Sequence, residues 1–338
     1  MSMEGTGVRA ESTDATPRET ADTDDFTVLS ADAGARTLAH FAHPRADTET
    51  ALAIVSDPHV STGKEGTWKV FHRTEERLRA ALADATAREV DGVVFAGDLT
   101  EDGRPEDFAG VTDLLGDLRI PAVAVPGNHD VPKSFKAHET PPLSTFEDRF
   151  TPGELPFRAA FGGVDVLGLD SASAPDGSLD ATHAGSISAA QREWLDAALA
   201  ESDAALVVTH HNLPGLGDCF GDESAVPHPP VEGAAAFART LARHDALHVS
   251  GHVHLPAVTR CEGATGVVCP ALSSFPQAYT LLEVGPDGTT LSLVPVADSE
   301  GVAEAHELAR THSARSRTVS EVVADQLSDL PLADERDR

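Results

Sequence analysis

The chain reads as an α/β fold. Short apolar runs of strand character alternate with longer segments that carry a helical apolar stripe. Most of those runs end abruptly in turns bearing Gly, Asp, Asn or His, and in open α/β sheets sites lie at the carboxyl ends of the strands.

Residues 1–46 are rich in Thr, Asp, Glu, Ala and Gly, and their apolar stretches, Phe26-Thr27-Val28-Leu29 and Leu38-Ala39-His40-Phe41, are too brief to sustain a period. This acidic arm is expected to be largely disordered and solvated. At Leu52-Ala53-Ile54-Val55 the pattern turns to a compact strand closed by Ser56-Asp57-Pro58-His59. A polar loop, 61–67, and Trp68 lead to a predicted helix over 74–90, with Leu78, Leu82 and Ala85 on one face. Val93-Val94-Phe95-Ala96 is a second strand, ended by Gly97-Asp98-Leu99-Thr100. A helix over 105–118 turns Phe108, Val111, Leu114 and Leu115 inward, and the strand 121–125 runs into Pro126-Gly127-Asn128-His129-Asp130.

The proline-rich stretch 131–161 reads as a long loop over the site. Strand character returns at 164–170, followed by a helix over 188–200 with Ser188 as N-cap and Trp194, Leu195 and Leu199 inward. Ala205-Leu206-Val207-Val208 ends in Thr209-His210-His211-Asn212, and a helix over 233–243 precedes Leu247-His248-Val249-Ser250 and the turn Gly251-His252-Val253-His254. Shorter strands near 267–271, 279–284 and 290–294 look antiparallel, the last two joined by Gly285-Pro286-Asp287-Gly288. These elements set a domain at 47–299, and residues 300–338 form a polar, alanine-bearing tail with an apolar trace at Val322, Val323 and Leu327 that reads either as a loosely docked helix or as a disordered end.

A chain of 338 residues can bury one sizeable core. No stretch approaches the roughly 18 apolar residues of a membrane span, and Met1-Ser2-Met3-Glu4-Gly5 lacks the basic and apolar regions of a signal peptide, so a cytoplasmic protein is expected. Lys+Arg 25 against Asp+Glu 55 leaves a formal charge of −30, and the only lysines are Lys64, Lys69, Lys133 and Lys136, the other 21 basic residues being arginine. Such a surface repels nucleic acid and anionic membranes in dilute buffer, whereas concentrated salt screens it. The acid-rich, lysine-poor balance resembles proteins of salt-loving archaea and fits a halophilic setting better than a basic partner. Cys219, Cys261 and Cys269 are odd in number and show no C-x-x-C spacing, which argues against a disulfide framework or a thiolate zinc site.

Five blocks carry potential ligands: Asp57-x-His59, Asp98, Asn128-His129, His210 and His252-x-His254. In extended backbone, residues i and i+2 point the same way, so each x-spaced pair can offer two ligands to one cavity. The donors are oxygen and imidazole nitrogen only, a set suited to manganese, iron or zinc. A strand-end Asp is usually a turn former and a lone His is more often structural, so each block by itself is weak. Five in one order are specific.

In that order the blocks D-x-H, G-D, G-N-H-D, H and G-H-x-H resemble the signature of the calcineurin-like metallophosphoesterases. Gly97-Asp98-Leu99-Thr100, Gly103-x-Pro105-Glu106 and Thr209-His210-His211 resemble its branch of class III cyclic nucleotide phosphodiesterases and glycerophosphodiesterases. The match runs from about Leu52 to His254. The resemblance implies a four-layer αββα sandwich with two mixed β-sheets and two metal ions, one held by Asp57, His59, Asp98 and His254, the other by Asp98, Asn128, His210 and His252. Asp98 would bridge them, and a bridging hydroxide would attack phosphorus. His129 would be the catalytic donor to the leaving oxygen, oriented by Glu101 or by neighbouring Asp102. Asp130 is either a cap or a substrate contact, His211 is expected beside the site without binding metal, and His72, His183, His228, His244 and His248 are left as structural or surface residues.

The implied activity is hydrolysis of a small phosphodiester, a cyclic nucleotide first, or of a phosphomonoester. Substrate choice would lie in 61–68, 131–161 and 212–230. A nuclease of the same superfamily is one alternative, although scattered Arg and 5% aromatics offer no strand-binding surface. A non-catalytic phosphoesterase-like scaffold is another, although such a protein is expected to have lost ligands that this chain keeps.

Overall fold

The structure, a computed structural model, describes residues 26–134, 138–174 and 185–336. Two mixed sheets face each other. In the seven-stranded sheet, β2 (Thr50–Val55), β3 (Gly92–Phe95) and β4 (Ala122–Ala124) run parallel at one edge. The hairpin β11 (Ala278–Gly285) and β12 (Gly288–Pro295), with β1 (Arg36–Phe41) and β13 (Ala333–Asp334), completes the order β13-β1-β12-β11-β2-β3-β4. The six-stranded sheet has the order β5 (Phe157–Phe161), β6 (Val164–Gly168), β7 (Ala205–Val208), β8 (Leu247–Ser250), β10 (Ala264–Val268) and β9 (Ala257–Cys261). Its four central strands are parallel and its two outer strands antiparallel.

Strands covered on both faces read as continuous apolar runs rather than as alternations, which is why β2, β3, β7 and β8 stood out. Leu52, Ile54, Val94 and Val125 meet Val166, Leu206, Val208 and Val249 between the sheets. The opposite face of the first sheet, with Ala53, Val55 and Phe95, is covered by Leu78 and Leu82 of α1 (Thr74–Ala87), Phe108 of α2 (Pro105–Leu115), and Phe146 and Phe150 of α3 (Leu143–Phe150). Leu195 and Leu199 of α4 (Ala189–Ala200) and Phe237 and Leu241 of α6 (Ala234–Ala242) cover Leu167 and Val207 on the second sheet. Each such side chain contributes about 1.5–3 kcal/mol by burial. Ser188 caps α4 by accepting from Gln191 N. A short helix, α5 (Gly217–Phe220), precedes α6. The layers are αββα, as the resemblance implied.

Three segments differ from the sequence reading. Residues 36–41, assigned by composition to the solvated arm, form β1 against β12, with Leu38 and Ala39 fully buried. A register shift between Thr37 and Ala39 turns two neighbouring residues inward and erases the period-2 signal. Residues 131–161 are no continuous loop, since α3 and β5 lie within them. The polar tail is two capped helices, α7 (Ser299–His312) and α8 (Ala314–Ser328), whose Val302, Ala305, Val319 and Val323 pack on Val253, Leu255 and Leu293. The inner stripe of α7 is mostly Gly and Ala, with Val302 alone of larger size, which gives only a weak apolar pattern there. Strand β9 was not foreseen, and β10 pairs parallel with β8 as well as antiparallel with β9. Residues 1–25 of the arm and His183 lie outside the described residues. The three cysteines are separate thiols.

No helix among the described residues is long and apolar enough to cross a membrane.

Candidate metal centre

The carboxyl ends of β2, β3 and β4 meet those of β7 and β8, and all seven candidate ligands converge there. Asp57, His59 and Asp98 follow β2 and β3, Asn128 follows β4, and His210, His252 and His254 follow β7 and β8. All seven lie beyond the ends of their strands, and five have positive φ: Asp57 (50°), His59 (43°), Asp98 (52°), His252 (74°) and His254 (59°). The x-spaced pairs are therefore not extended, as the sequence reading assumed. Left-handed backbone folds each pair back over the strand end, at a cost of about 1–3 kcal/mol per residue that the surrounding core must offset. Glycines make room: a β-carbon on Gly127 would collide with Asp98 Oδ1 and its backbone N.

Two groups of donor atoms form around one carboxylate. In the first, His254 Nε2 lies 3.1 Å from His59 Nε2 and 3.3 Å from Asp57 Oδ1. In the second, His210 Nε2 lies 3.2 Å from Asn128 Oδ1 and 3.1 Å from His252 Nδ1. Asp98 Oδ2 faces both groups, 3.5 Å from His59 Nε2 and 3.3 Å from His210 Nε2.

The imidazoles are aimed from behind. His59 Nδ1 is 3.2 Å from Glu101 Oε2, His210 Nδ1 is 2.9 Å from the Ala96 carbonyl, and His254 Nδ1 is 2.8 Å from Ser274 Oγ. Such partners fix the tautomer and turn the other nitrogen toward the centre. Asp57 Oδ2 accepts from His252 N at 3.0 Å and from Ser56 Oγ. Its Oδ1 is buried and takes no hydrogen bond.

Charge follows geometry. Burial opposes ionisation of Asp57 and Asp98, yet His254 beside the first and His210 beside the second hold both well below the usual carboxylate range. Burial also works against protonation of His210, but the Asp98 carboxylate lifts it to about 9, whereas burial takes His254 down to about 4. Ionised carboxylates, imidazole nitrogens facing each other at 3.1 Å and an orphaned Asp57 Oδ1 make a seat for cations. The residues fit two metal ions of the oxygen-and-nitrogen class.

His129 hangs beside this seat. Its backbone N donates to Asp98 Oδ1 at 2.8 Å, and its Nε2 is 4.0 Å from Asp98 Oδ2. Neither expected carboxylate orients it. The main-chain carbonyl of Glu101 binds Nδ1 at 2.5 Å, the Glu101 carboxylate is 3.7 Å away and serves His59 instead, and Asp102 pairs with Lys64 at 2.6 Å. Asp130 is structural: its oxygens accept from Leu99 N, Thr100 N, Thr100 Oγ1 and Gly127 N, which ties the two strand-end turns together. His211 is buried beside the centre on Ser171, with its ring 4.4 Å from that of His252.

Three residues near the centre were missed. Trp68 stacks 4.7 Å from the His254 ring, and His228, assigned from sequence to structure or surface, lies 4.1 Å from the His252 ring. Lys69 reaches Glu101, His59 and His129. The first two sit in two of the loops expected to choose substrate, and Lys69 follows directly after one of them. Only the clustering of lysines gave a signal for the third.

The sequence profile described as "Calcineurin-like phosphoesterase" matches residues 50–256. A Synechococcus protein named "Probable cyclic nucleotide phosphodiesterase syc0937_d" is 27% identical over 246 residues, covering 68% of this chain and 86% of that protein. The "3',5'-cyclic adenosine monophosphate phosphodiesterase CpdA" of Escherichia coli K12 is 26% identical over 274 residues, covering 76% and 89%. Among solved structures, a "dimetal phosphatase" from Danio rerio shares the fold with a TM-score of 0.53 at 16% identity, over 75% of this chain and 98% of that one.

Proposed function

Because the chain belongs to the calcineurin-like phosphoesterase family, we propose that it hydrolyses a small phosphodiester at a two-metal centre, with a cyclic nucleotide as the first substrate to test. The observation that carries this reading is Asp98 Oδ2 shared between two donor groups, 3.5 Å from His59 Nε2 and 3.3 Å from His210 Nε2. The relatives named as cyclic nucleotide phosphodiesterases support the choice of a diester.

Asp57, His59, Asp98 and His254 would hold one ion, and Asp98, Asn128, His210 and His252 the other. Manganese, iron or zinc bound there would supply Lewis-acid charge for the phosphoryl oxygens and a water acidified toward neutral pH. The chain's own contribution is placement. His129, whose Nδ1–H donates to the Glu101 carbonyl, directs Nε2 to the centre, where it would give a hydrogen bond or proton to the leaving oxygen only in its doubly protonated form, which burial and then Lys69 disfavour. Trp68 packs against the His254 ring and His228 against the His252 ring, so each donor group has a ring packed on one of its ligands. The formal charge of −30 goes with work in concentrated salt, and we place the protein in the cytoplasm of a salt-adapted cell.

The test is hydrolysis of bis(p-nitrophenyl) phosphate against p-nitrophenyl phosphate, in concentrated KCl with Mn²⁺, for the native chain and Asp98→Ala. Diester cleavage that disappears in Asp98→Ala supports the reading, and 3',5'-cyclic AMP is assayed next. Cleavage of the monoester alone would make the protein a phosphatase. Inertness toward both with two metals bound would favour a scaffold, and digestion of single-stranded DNA would favour a nuclease.

A further inference from the structure

All four lysines of the chain fall at 64–69 and 133–136, the segments that follow the first and third ligand blocks. Elsewhere the chain uses arginine. Lys64 lies 2.6 Å from Asp102 Oδ2, Lys69 lies 3.1 Å from Glu101 Oε2, and Lys133 is buried. Lys64 and Lys69 thus both pair with carboxylates that follow the Asp98 block, next to the donor atoms.

Lys69 is the most telling. Its side chain is 12% exposed. Its Nζ stands 3.4 Å from His59 Nδ1 and 3.5 Å from His129 Nε2, so it borders both the first donor group and the atom that faces the leaving oxygen. An ammonium has three donors, and its shortest contact, 3.1 Å to Glu101 Oε2, is to a carboxylate, while His59 Nδ1 and His129 Nε2 lie at the long end of hydrogen-bond distance. Glu101 Oε2 is itself shared with His59 Nδ1 at 3.2 Å. The backbone holds Lys69 in this position at a cost. Thr67 and Val70, both β-branched, flank Trp68-Lys69 with φ of 59° and 46°, a region that such residues rarely adopt. Val70 is fully buried among the residues that anchor α7 and α8, which fixes the outer end of the segment.

We propose that Lys69 is a substrate-binding residue: its ammonium donates to a non-bridging oxygen of the scissile phosphate on the His129 side of the centre. This rests on the reading of the centre as a phosphate-ester site. In this role the Lys69–Glu101 pair stores the cation in place before substrate arrives, and the incoming phosphate replaces the long contacts of the ammonium to His59 and His129.

The experiment is calorimetric binding of inorganic phosphate to the Mn²⁺-loaded protein in concentrated KCl, with metal content and hydrolysis of bis(p-nitrophenyl) phosphate measured alongside. Lys69→Met should weaken phosphate binding about tenfold or more and lower kcat/KM by about 10–100-fold, with metal content unchanged. Lys69→Arg should recover much of the phosphate affinity. Should Lys69→Met fail to fold, Lys69→Gln is read in the same way. Phosphate binding within twofold of the native protein in the neutral variants would overturn the assignment. So would loss of bound metal together with phosphate, which would make Lys69 a prop for Glu101 and His59. If the native protein binds phosphate but cleaves no ester, the hydrolytic reading fails while the Lys69 assignment is still decided by binding.

Discussion

Glu101 Oε2 lies 3.2 Å from His59 Nδ1, and the carboxylate is buried at the base of the first donor group. Burial would raise its pKa, yet Lys69 and then His59 hold it ionised well below the ordinary range. A charged carboxylate behind an imidazole fixes its tautomer and strengthens it as a ligand. Glu101→Gln should therefore weaken metal binding at the Asp57–His59–His254 group by about 10–100-fold, read by metal titration of the purified protein. Undiminished affinity would mean that Glu101 serves only Lys69.

His129 Nδ1 is held by a main-chain carbonyl, a partner that no side-chain substitution removes. His129→Ala is expected to lower kcat on bis(p-nitrophenyl) phosphate by about 10²–10⁴-fold and leave two metals bound. Substrates with poor leaving groups should suffer more than p-nitrophenyl esters. An equal loss across leaving groups would argue that His129 binds phosphate and does not assist departure.

Gly127 gives way to the Asp98 carboxylate. Adding a single methyl group there, Gly127→Ala, drives the β-carbon into Asp98 Oδ1 and its backbone N. Loss of activity should exceed loss of stability. Circular dichroism melts compared with metal content will separate the two, and a variant with native metal binding would show that the turn can yield.

His248 supplies a pH effect from a residue outside the donor groups. It is fully buried against Thr209 Oγ1, and burial pushes it down to about 3. An unfolded chain titrates this group near 6.5, so between about 6.5 and 3 the unfolded state binds a proton that the folded state refuses. Stability is complete above the unfolded value and falls with acidification, by about 1.4 kcal/mol per pH unit at most from this residue. Metal-free protein melted from pH 7 to pH 4 should show that slope, and His248→Gln should flatten it.

The strand ends were readable because parallel strands buried on both faces are plain apolar runs, and because Asp57, Asp98, Asn128, His210 and His252 each follow one directly. Ser188 was readable as a cap from local chemistry. What escaped depends on distant pairing: β1 is a strand only because β12 receives it, and the bulge at residues 37–39 hides its alternation. The left-handed backbone of five ligands has no sequence mark when the residues are Asp and His rather than Gly. His228 and Lys69 reach the centre through loops whose paths no periodicity describes.

The neighbours of β2 carry a consequence for how the protein is made. This strand, which delivers Asp57 and His59, bonds on one side to β3 and on the other to β11, where Ile54 pairs with Thr280. During synthesis one edge of β2 stays open until the last quarter of the chain has emerged, and such an apolar edge invites pairing with other chains. Topology of this kind folds slowly, because distant segments must close before their contacts form. A cell producing this protein must shield that edge for most of the time a ribosome needs to complete it.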